Sequence, residues 1–166
     1  MLLLIALFLQ GPAQNVDRGP YISASYTELG SDLSAYDPIL LLNLGYNFRT
    51  GTNWSVRLEG EGSLALQDRQ VDVYGLGVLA EWKSQQGFYL FLGGAITQYR
   101  WKGYYRGYDF TGLTHSLGFG YRFGSHLRIF ARGDYFLEGQ TEDQSIQFNN
   151  ESIEVSQLRA GITYQF

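Results

Sequence analysis

The chain has no cysteine among its 166 residues, which excludes disulfide bonds and thiolate metal sites. Lysine is nearly absent as well, since it occurs only at Lys83 and Lys102, and the formal net charge is −4. A nucleic-acid-binding domain normally presents a basic face or stripe, so this composition argues against nucleic acid as a partner. A membrane-spanning helix needs about 20 apolar residues, and no apolar run in this sequence is nearly that long, which argues against a helical membrane protein.

The N-terminus is apolar and then small and polar. Residues 1–9 are MLLLIALFL, and Gly11 and Ala13 fit the small residues that precede a signal-peptide cleavage site. The positively charged start of a typical signal peptide is missing, which a truncated or misassigned start would explain. We expect residues 1–13 to form a signal peptide and residues 20–166 to form the folded domain. The alternative for the apolar run is a short buried helix.

Alternation of apolar and polar residues recurs along almost the whole chain after residue 20, and no segment keeps a helical period. This pattern predicts an all-β domain of eight strands. The predicted strands cover residues 20–29, 38–49, 53–66, 71–83, 87–101, 110–124, 125–138 and 153–166. Short connections alternate with longer polar ones, so we expect all short turns at one end of the sheet and all long loops at the other.

Each predicted strand has one apolar and one polar face. In the third strand, Trp54, Val56 and Leu58 alternate with Arg57 and Glu59. Alternation alone does not decide which face points inward, because a soluble sandwich would bury the apolar face. The polar face is rich in glycine and arginine but poor in lysine, which is unlike a solvated surface and favours a narrow interior. We therefore expect the apolar face to point outward.

The charges of the polar face balance and predict a network of ion pairs inside the domain, because buried charges persist only when they are paired. The network residues are Arg57, Glu59, Glu61, Glu81, Arg122, Arg128, Arg132, Asp134, Glu138 and Arg159. One interpretation is a structural plug, since an eight-stranded barrel is only wide enough for side chains. The alternative is a gate whose pairs exchange and admit ions.

Aromatic residues lie near both ends of the apolar faces. Around the short turns they are Phe48, Trp54, Trp82, Phe88, Phe123, Tyr164 and Phe166, and toward the long loops they are Tyr26, Tyr74 and Tyr135. The apolar stripes between them are roughly nine residues long, which matches a tilted strand that crosses a bilayer. Only a closed barrel leaves no unpaired edge in hydrocarbon. The predicted fold is therefore an eight-stranded antiparallel up-and-down transmembrane β-barrel.

These features resemble the small eight-stranded outer-membrane β-barrels of the OmpA, OmpX and opacity-protein type. The segments that support the likeness are GPYISASYTELG, FYLFLGGAITQY, HSLGFGYRFGSHLRIFARGDYFLEG and LRAGITYQF. The resemblance implies a Gram-negative outer-membrane location, periplasmic termini, extracellular long loops and contact with lipid and lipopolysaccharide. It also implies that Phe166 is the signal for the barrel assembly machinery. It does not imply one activity, because this fold serves several.

Catalytic residues are hard to find in this sequence. The only histidines are His115 and His126, and His115 is adjacent to Ser116, so in a strand these two side chains point to opposite faces. His126 follows a serine at a tight turn, on the wrong rim for outer-leaflet chemistry. The lipid A deacylase family is similar in layout but has a His-x-Ser motif in the penultimate strand, where residues 133–136 are Gly-Asp-Tyr-Phe. We expect no enzymatic activity, no cofactor and no metal site. An enzyme that modifies lipid A or phospholipid is the alternative.

Residues 99–108 form the most distinctive surface candidate, because they mix aromatic side chains with three cations. The candidate binding residues are Arg100, Trp101, Lys102, Tyr104, Tyr105 and Arg106. Such residues suit lipopolysaccharide phosphate or a host glycan or protein. The alternative is an interfacial belt with snorkelling cations. We expect a monomeric outer-membrane protein that supports the envelope and interacts through its loops. Further alternatives are a small gated channel and a soluble lipocalin-like barrel with reversed faces.

Overall fold

The computed structural model describes residues 18–31, 38–64, 71–101, 109–141 and 155–166. The proposed signal peptide at residues 1–13 lies outside them. Eight strands account for nearly all of the described chain. They are β1 (Gly19–Ser31), β2 (Pro38–Arg49), β3 (Trp54–Ser63), β4 (Val71–Lys83), β5 (Phe88–Trp101), β6 (Asp109–Phe123), β7 (Leu127–Thr141) and β8 (Val155–Gln165). No helix in these ranges is long and apolar enough to cross a membrane.

Each strand pairs antiparallel with the next along the chain, and the sheet closes into a barrel. The closing ladder joins β1 to β8 from Tyr21 opposite Gln165 to Ser31 opposite Val155. Beyond it, the Phe166 amide donates to the Pro20 carbonyl at 3.0 Å. The structure therefore confirms the eight-stranded up-and-down barrel.

The strand bounds differ from the predicted ones where local geometry intervenes. Gly124 has a left-handed φ of 63°, so the turn occupies residues 124–126 and β7 begins at Leu127. β7 then continues to Thr141, past the predicted end at residue 138, and its pairing with β6 shifts register between Gly112 and Leu113. Such a shift is typical of a β-bulge.

The connections separate the two ends of the barrel. Residues 50–53, 84–87 and 124–126 join strands at one end of the barrel. The start of β1 and the end of β8 lie at the same end. We call this the tight-turn end. Residues 32–37, 64–70, 102–108 and 142–154 join strands at the other, which we call the long-connection end.

Apolar side chains at alternate positions point outward and stay exposed. Leu158 keeps 73% of its surface exposed and Leu117 keeps 68%, whereas the inward Phe91 keeps 3%. In the predicted fifth strand, Leu90 and Leu92 are likewise outward. This confirms the outward direction of the apolar face and is the opposite of what a lipocalin-like barrel requires.

The inward face contains glycines where large side chains cross the narrow lumen. A Cβ atom on Gly45 would stand 2.5 Å from the Tyr21 ring, and one on Gly118 would stand 2.2 Å from the Phe91 ring. The same positions would also meet backbone carbonyls of neighbouring strands, at 2.4 and 2.6 Å. Inward aromatic rings thus occupy the space that the glycines leave.

Exposed aromatic rings mark two levels on the outer wall. At the tight-turn end, Trp54 lies opposite Trp82 across β3 and β4, and Phe88 packs edge-on against Tyr121 with ring centroids 4.9 Å apart. Nearer the long-connection end, the outward tyrosines are Tyr26, Tyr74 and Tyr135. This is the arrangement of the aromatic girdles that border the apolar band of a membrane barrel.

Candidate functional site

The lumen near the tight turns is organised around Glu81 of β4, whose side chain is completely buried. Its carboxylate lies 3.1 Å from Nη1 of Arg57, 2.9 Å from Nη1 of Arg128 and 3.3 Å from Nζ of Lys83. Arg57 comes from the neighbouring strand β3, and Arg128 comes from β7 on another side of the barrel. One carboxylate therefore contacts three cations, and through Arg128 it joins β4 to β7, two strands that share no backbone pairing.

Tyr21 connects this group to a second one nearer the middle of the barrel. The Arg57 guanidinium lies over the Tyr21 ring, 4.4 Å from its centroid, as a cation–π contact. The Tyr21 hydroxyl in turn donates to the Glu59 carboxylate at 2.8 Å. The two groups of charges are thus parts of one connected polar interior.

The second group contains two arginines and three carboxylates. Arg132 of β7 pairs with Glu59 of β3, and it donates to Asp134 at 2.7 Å and to the Ser116 hydroxyl at 2.9 Å. Arg159 of β8 pairs with Glu61 of β3, and its Nε lies 2.5 Å from Asp134. Because β3 and β7 face each other across an eight-stranded barrel, these pairs tie opposite walls together.

Voids between these side chains are small. The space bordered by Ser23, Asn43, Glu59, Leu79 and Arg132 amounts to about 10 Å³. That volume is about enough for a single water molecule. A second void of about 10 Å³ lies at the tight-turn mouth. The interior voids described here are far below the about 300 Å³ of a small-molecule pocket, so they offer no lipocalin-like cavity.

Sequence reasoning missed an apolar cluster that fills the lumen at the long-connection end. Its members are all at most 1% exposed, and they are Ile39, Leu41, Val71, Val73, Tyr99, Phe110, Phe136 and Val155. The rings of Tyr99 and Phe136 meet edge to face at 5.1 Å, and Gln157 donates to the Tyr99 hydroxyl at 2.8 Å. We call this cluster the apolar seal. The signal in the sequence was the continuous apolar run at residues 39–42, which leaves no polar face.

The structure brings most of the predicted network residues together inside the barrel. They are Arg57, Glu59, Glu61, Glu81, Arg128, Arg132, Asp134 and Arg159. Arg122 is half-buried and borders the void at the tight-turn mouth. The Glu138 side chain lies outside the described residues. Lys83 belongs to the Glu81 group but was not predicted, although the alternation of β4 places it on the same face as Glu81.

Among the residues that the structure describes, neither histidine forms a nucleophile–base pair with a serine. His115 is exposed on the outer wall, whereas Ser116 is 5% exposed in the lumen, as their adjacency predicted. His126 lies at a tight turn, with Nδ1 2.7 Å from the Gln165 carbonyl oxygen and its ring stacked on Tyr164. Within the described ranges, no three histidine, aspartate or glutamate side chains converge as a metal-binding group.

Of the surface candidates, only Arg100 has a described side chain. It is exposed, and the ladder places it opposite Asp72 of β4 and Asp109 of β6. Opposite charges at a cross-strand position, such as Arg100 and Asp72, stabilise a sheet, so Arg100 has a structural role available to it. Trp101 ends β5, and its side chain is not among those described, nor are Lys102, Tyr104, Tyr105 and Arg106.

Solved structures with this architecture are small outer-membrane or membrane-spanning barrels. Neisserial surface protein A superposes with a TM-score of 0.58 at 13% identity, over 90% of this chain and 97% of that one. Ail, the attachment invasion locus protein of Yersinia pestis, gives 0.54 at 15% identity over 90% and 97%, and it has also been solved with the heparin analogue sucrose octasulfate. A de novo designed transmembrane β-barrel gives 0.50 at 11% identity over 95% and 98%. No family model and no curated protein matches the sequence.

Substitution of Glu81 tests the charged interior. Glu81→Gln keeps the side-chain shape but leaves Arg57, Arg128 and Lys83 around a neutral amide. Because removing one partner leaves buried charge uncompensated, we expect a loss of about 3–5 kcal/mol in the free energy of unfolding. The measurement is urea unfolding of the barrel in lipid vesicles, followed by tryptophan fluorescence.

The double variant Glu81→Gln with Arg128→Met serves as the control. It removes one of the buried cations that Glu81→Gln leaves without a carboxylate, so it should recover part of the lost free energy of unfolding. Gln85→Ala, at an exposed turn position, should unfold like the unmodified protein. Equal stability of Glu81→Gln and the unmodified chain would show that the Glu81 group contributes nothing to the fold.

Proposed function

We propose that this protein is a non-enzymatic barrel of the bacterial outer membrane that supports the envelope and interacts with its surroundings through the long connections. The observation that carries the proposal is the outer wall, on which large apolar side chains are exposed on every strand while arginine and glutamate are buried inside. In water this arrangement would expose a continuous apolar surface, whereas hydrocarbon covers it at no cost.

The proposed orientation places the termini in the periplasm and the long connections outside the cell. Such barrels have short periplasmic turns and longer extracellular loops, and the connections here divide in the same way. Outer-membrane lipid and lipopolysaccharide would then cover the wall. Phe166, which is 54% exposed at the edge of the closing ladder, would be available to the barrel assembly machinery before closure. A single closed barrel needs no partner to complete it, so we propose a monomer.

For the lumen we propose a structural plug in preference to a gate. A gate would need alternative partners and a path beyond them, but the apolar seal lies between the charged groups and the long-connection end. The charged side chains themselves leave voids of only about 10 Å³. Exchange of ion pairs alone would therefore not open a continuous path for ions.

The location is tested by electrophoretic mobility and membrane fractionation of the full chain. Closed membrane barrels resist detergent until heated, so we expect the unboiled protein to migrate differently from the boiled one and to be found in the outer-membrane fraction. Recovery as a detergent-independent soluble protein with one mobility would overturn the proposal. That result would favour the lipocalin-like barrel, in which the apolar side chains point inward, opposite to their direction in this structure.

For the long connections we propose binding of anionic glycan or lipopolysaccharide phosphate by residues 100–106. Arginine and lysine give charge-assisted hydrogen bonds to sulfate or phosphate, and tyrosine adds flat contact area. The likeness to Ail supports asking this question, since that protein has been solved with a heparin analogue. The likeness is in fold alone, so the proposal depends on the residues of this chain.

The test is retention of the refolded protein on immobilised heparin under increasing salt. The variant Arg100→Gln, Lys102→Gln, Arg106→Gln should elute at much lower salt, because each lost cation removes a charge-assisted contact. The control variant Arg18→Gln, Arg49→Gln removes exposed cations at the tight-turn end and should elute like the unmodified protein. Equal losses in both variants would indicate unspecific charge attraction and contradict a site at residues 100–106.

A further inference from the structure

One ionisable side chain stands out on the outer wall. His115 is exposed on β6, between outward Leu113 and Leu117, on a wall formed mainly by apolar and aromatic residues. In the band of the outer wall from the level of Phe123 up to that of Tyr135, His115 is the one outward ionisable side chain among His, Lys, Arg, Asp and Glu within the described ranges. An ionisable group inside a membrane span is costly, and such residues usually serve a function.

The position of His115 along the strand gives its depth. It lies eight positions from Phe123, the outward aromatic residue at the tight-turn end of β6. At about 3.3 Å per residue and a tilt of roughly 35–45°, this corresponds to about 19–22 Å along the barrel axis. The apolar band of such barrels is about 25 Å tall. His115 therefore lies just below the boundary between hydrocarbon and headgroups at the long-connection end.

The neighbours of His115 form a row of hydrogen-bonding groups across three strands. The ladder places Tyr135 of β7 opposite His115, and Ser156 of β8 opposite Tyr135, and all three side chains are exposed. Adjacent members of such a row have Cβ atoms about 4.5–5.5 Å apart. His115 and Ser156 are thus about 10 Å apart, too far to act as a base and nucleophile but close enough to contact different atoms of one polar group.

Two glycines lie beside this row, so the outer wall carries no side chain at their positions. Gly94 of β5 lies opposite His115, and Gly133 of β7 is exposed one outward position from Tyr135. A Cβ atom on Gly133 would come no closer than 3.9 Å to its nearest neighbour, the Leu117 carbonyl oxygen, so sterics do not require glycine there. Two outward positions beside the row thus carry no side chain, and we call the surface formed by Gly94, His115, Gly133, Tyr135 and Ser156 the notch.

We propose that this notch binds the phosphate-bearing headgroup of a membrane lipid in the leaflet at the long-connection end. The inference rests on the proposed membrane location and adds a binding site to it. Imidazole, phenol and hydroxyl groups all donate hydrogen bonds, and a lipid phosphate in the headgroup layer just above the notch offers acceptor oxygens. A lipid with two acyl chains would cover the apolar residues below while its phosphate engages His115 and Tyr135.

The choice of a phosphate over a second copy of the chain follows from the chemistry of the row. A symmetric contact between copies would bring this face against itself, and the described notch residues include no carboxylate that could pair with a histidine of the other copy. A phosphate supplies the negative charge that a second notch lacks.

The experiment uses the full chain reconstituted in vesicles of phosphatidylcholine with added phosphatidylglycerol or, separately, diacylglycerol, followed by native mass spectrometry after mild detergent extraction. We expect phosphate-bearing lipid, either phosphatidylglycerol or the phosphatidylcholine of the vesicle, to be retained on the barrel. His115→Leu and Tyr135→Phe should each reduce the retained fraction several-fold, and diacylglycerol, which has no phosphate, should not be retained. Tyr26→Phe is the matched control, because Tyr26 is an outward tyrosine on β1 away from the notch, and it should retain lipid as the unmodified protein does.

Three results would overturn the proposal. Equal retention in His115→Leu and the unmodified protein would remove His115 from any lipid site, and equal retention of diacylglycerol would show that acyl chains alone are bound. A change from dimer to monomer in His115→Leu would assign the notch to a contact between copies. Boiled and unboiled samples of each variant report folding independently, and His115→Phe, which also lacks a hydrogen-bond donor, replaces His115→Leu if that variant fails to fold. A normal mobility shift without lipid retention would refute the notch alone, whereas absence of the shift in the unmodified protein would refute the membrane barrel itself.

Discussion

The structure depends on the closure of its backbone hydrogen bonds. A strand in hydrocarbon has no water to satisfy its amides and carbonyls, so a spanning sheet is stable only when its first and last strands pair. Here β1 and β8 pair over the whole length from Tyr21 to Ser31, and the Phe166 amide extends the ladder by one bond. Closure with eight strands then fixes a lumen that is only wide enough for side chains.

This narrow lumen explains why the inward positions are glycine, aromatic or charged while the outward positions are apolar. Glycines such as Gly45 and Gly118 let aromatic rings cross the interior, and Glu81, Glu59 and their arginine partners fill the space that remains. Buried charges of this kind are tolerated because each carboxylate contacts cations from other strands. The outward positions carry no such constraint, and they are occupied by the leucines, isoleucines and aromatic residues that lipid solvates.

Much of this could be predicted from the sequence because alternation reports directly on the two faces of a strand. The number of strands and the inward set around Arg57 and Arg132 follow from that period. The apolar seal could not be predicted in the same way, since both faces are apolar at Ile39–Leu42 and alternation gives no signal there. The alternation of β4 could have predicted that Lys83 shares a face with Glu81. The ion pair between Glu81 and Arg128 across the lumen could not be predicted, because it depends on closure of the barrel. The row from His115 to Ser156 likewise exists only through the register of three strands.

The central claim is that alternate residues face lipid and a packed interior, and spin-label accessibility along β5 tests it most directly. The chain has no native cysteine, so single cysteines at Leu90, Leu92, Ala95 and Thr97 can be labelled without background. In vesicles, we expect high accessibility to oxygen dissolved in the lipid at Leu90 and Leu92, and immobilised, inaccessible labels at Ala95 and Thr97. The reverse pattern, or equal accessibility to a water-soluble reagent at all four positions, would contradict it.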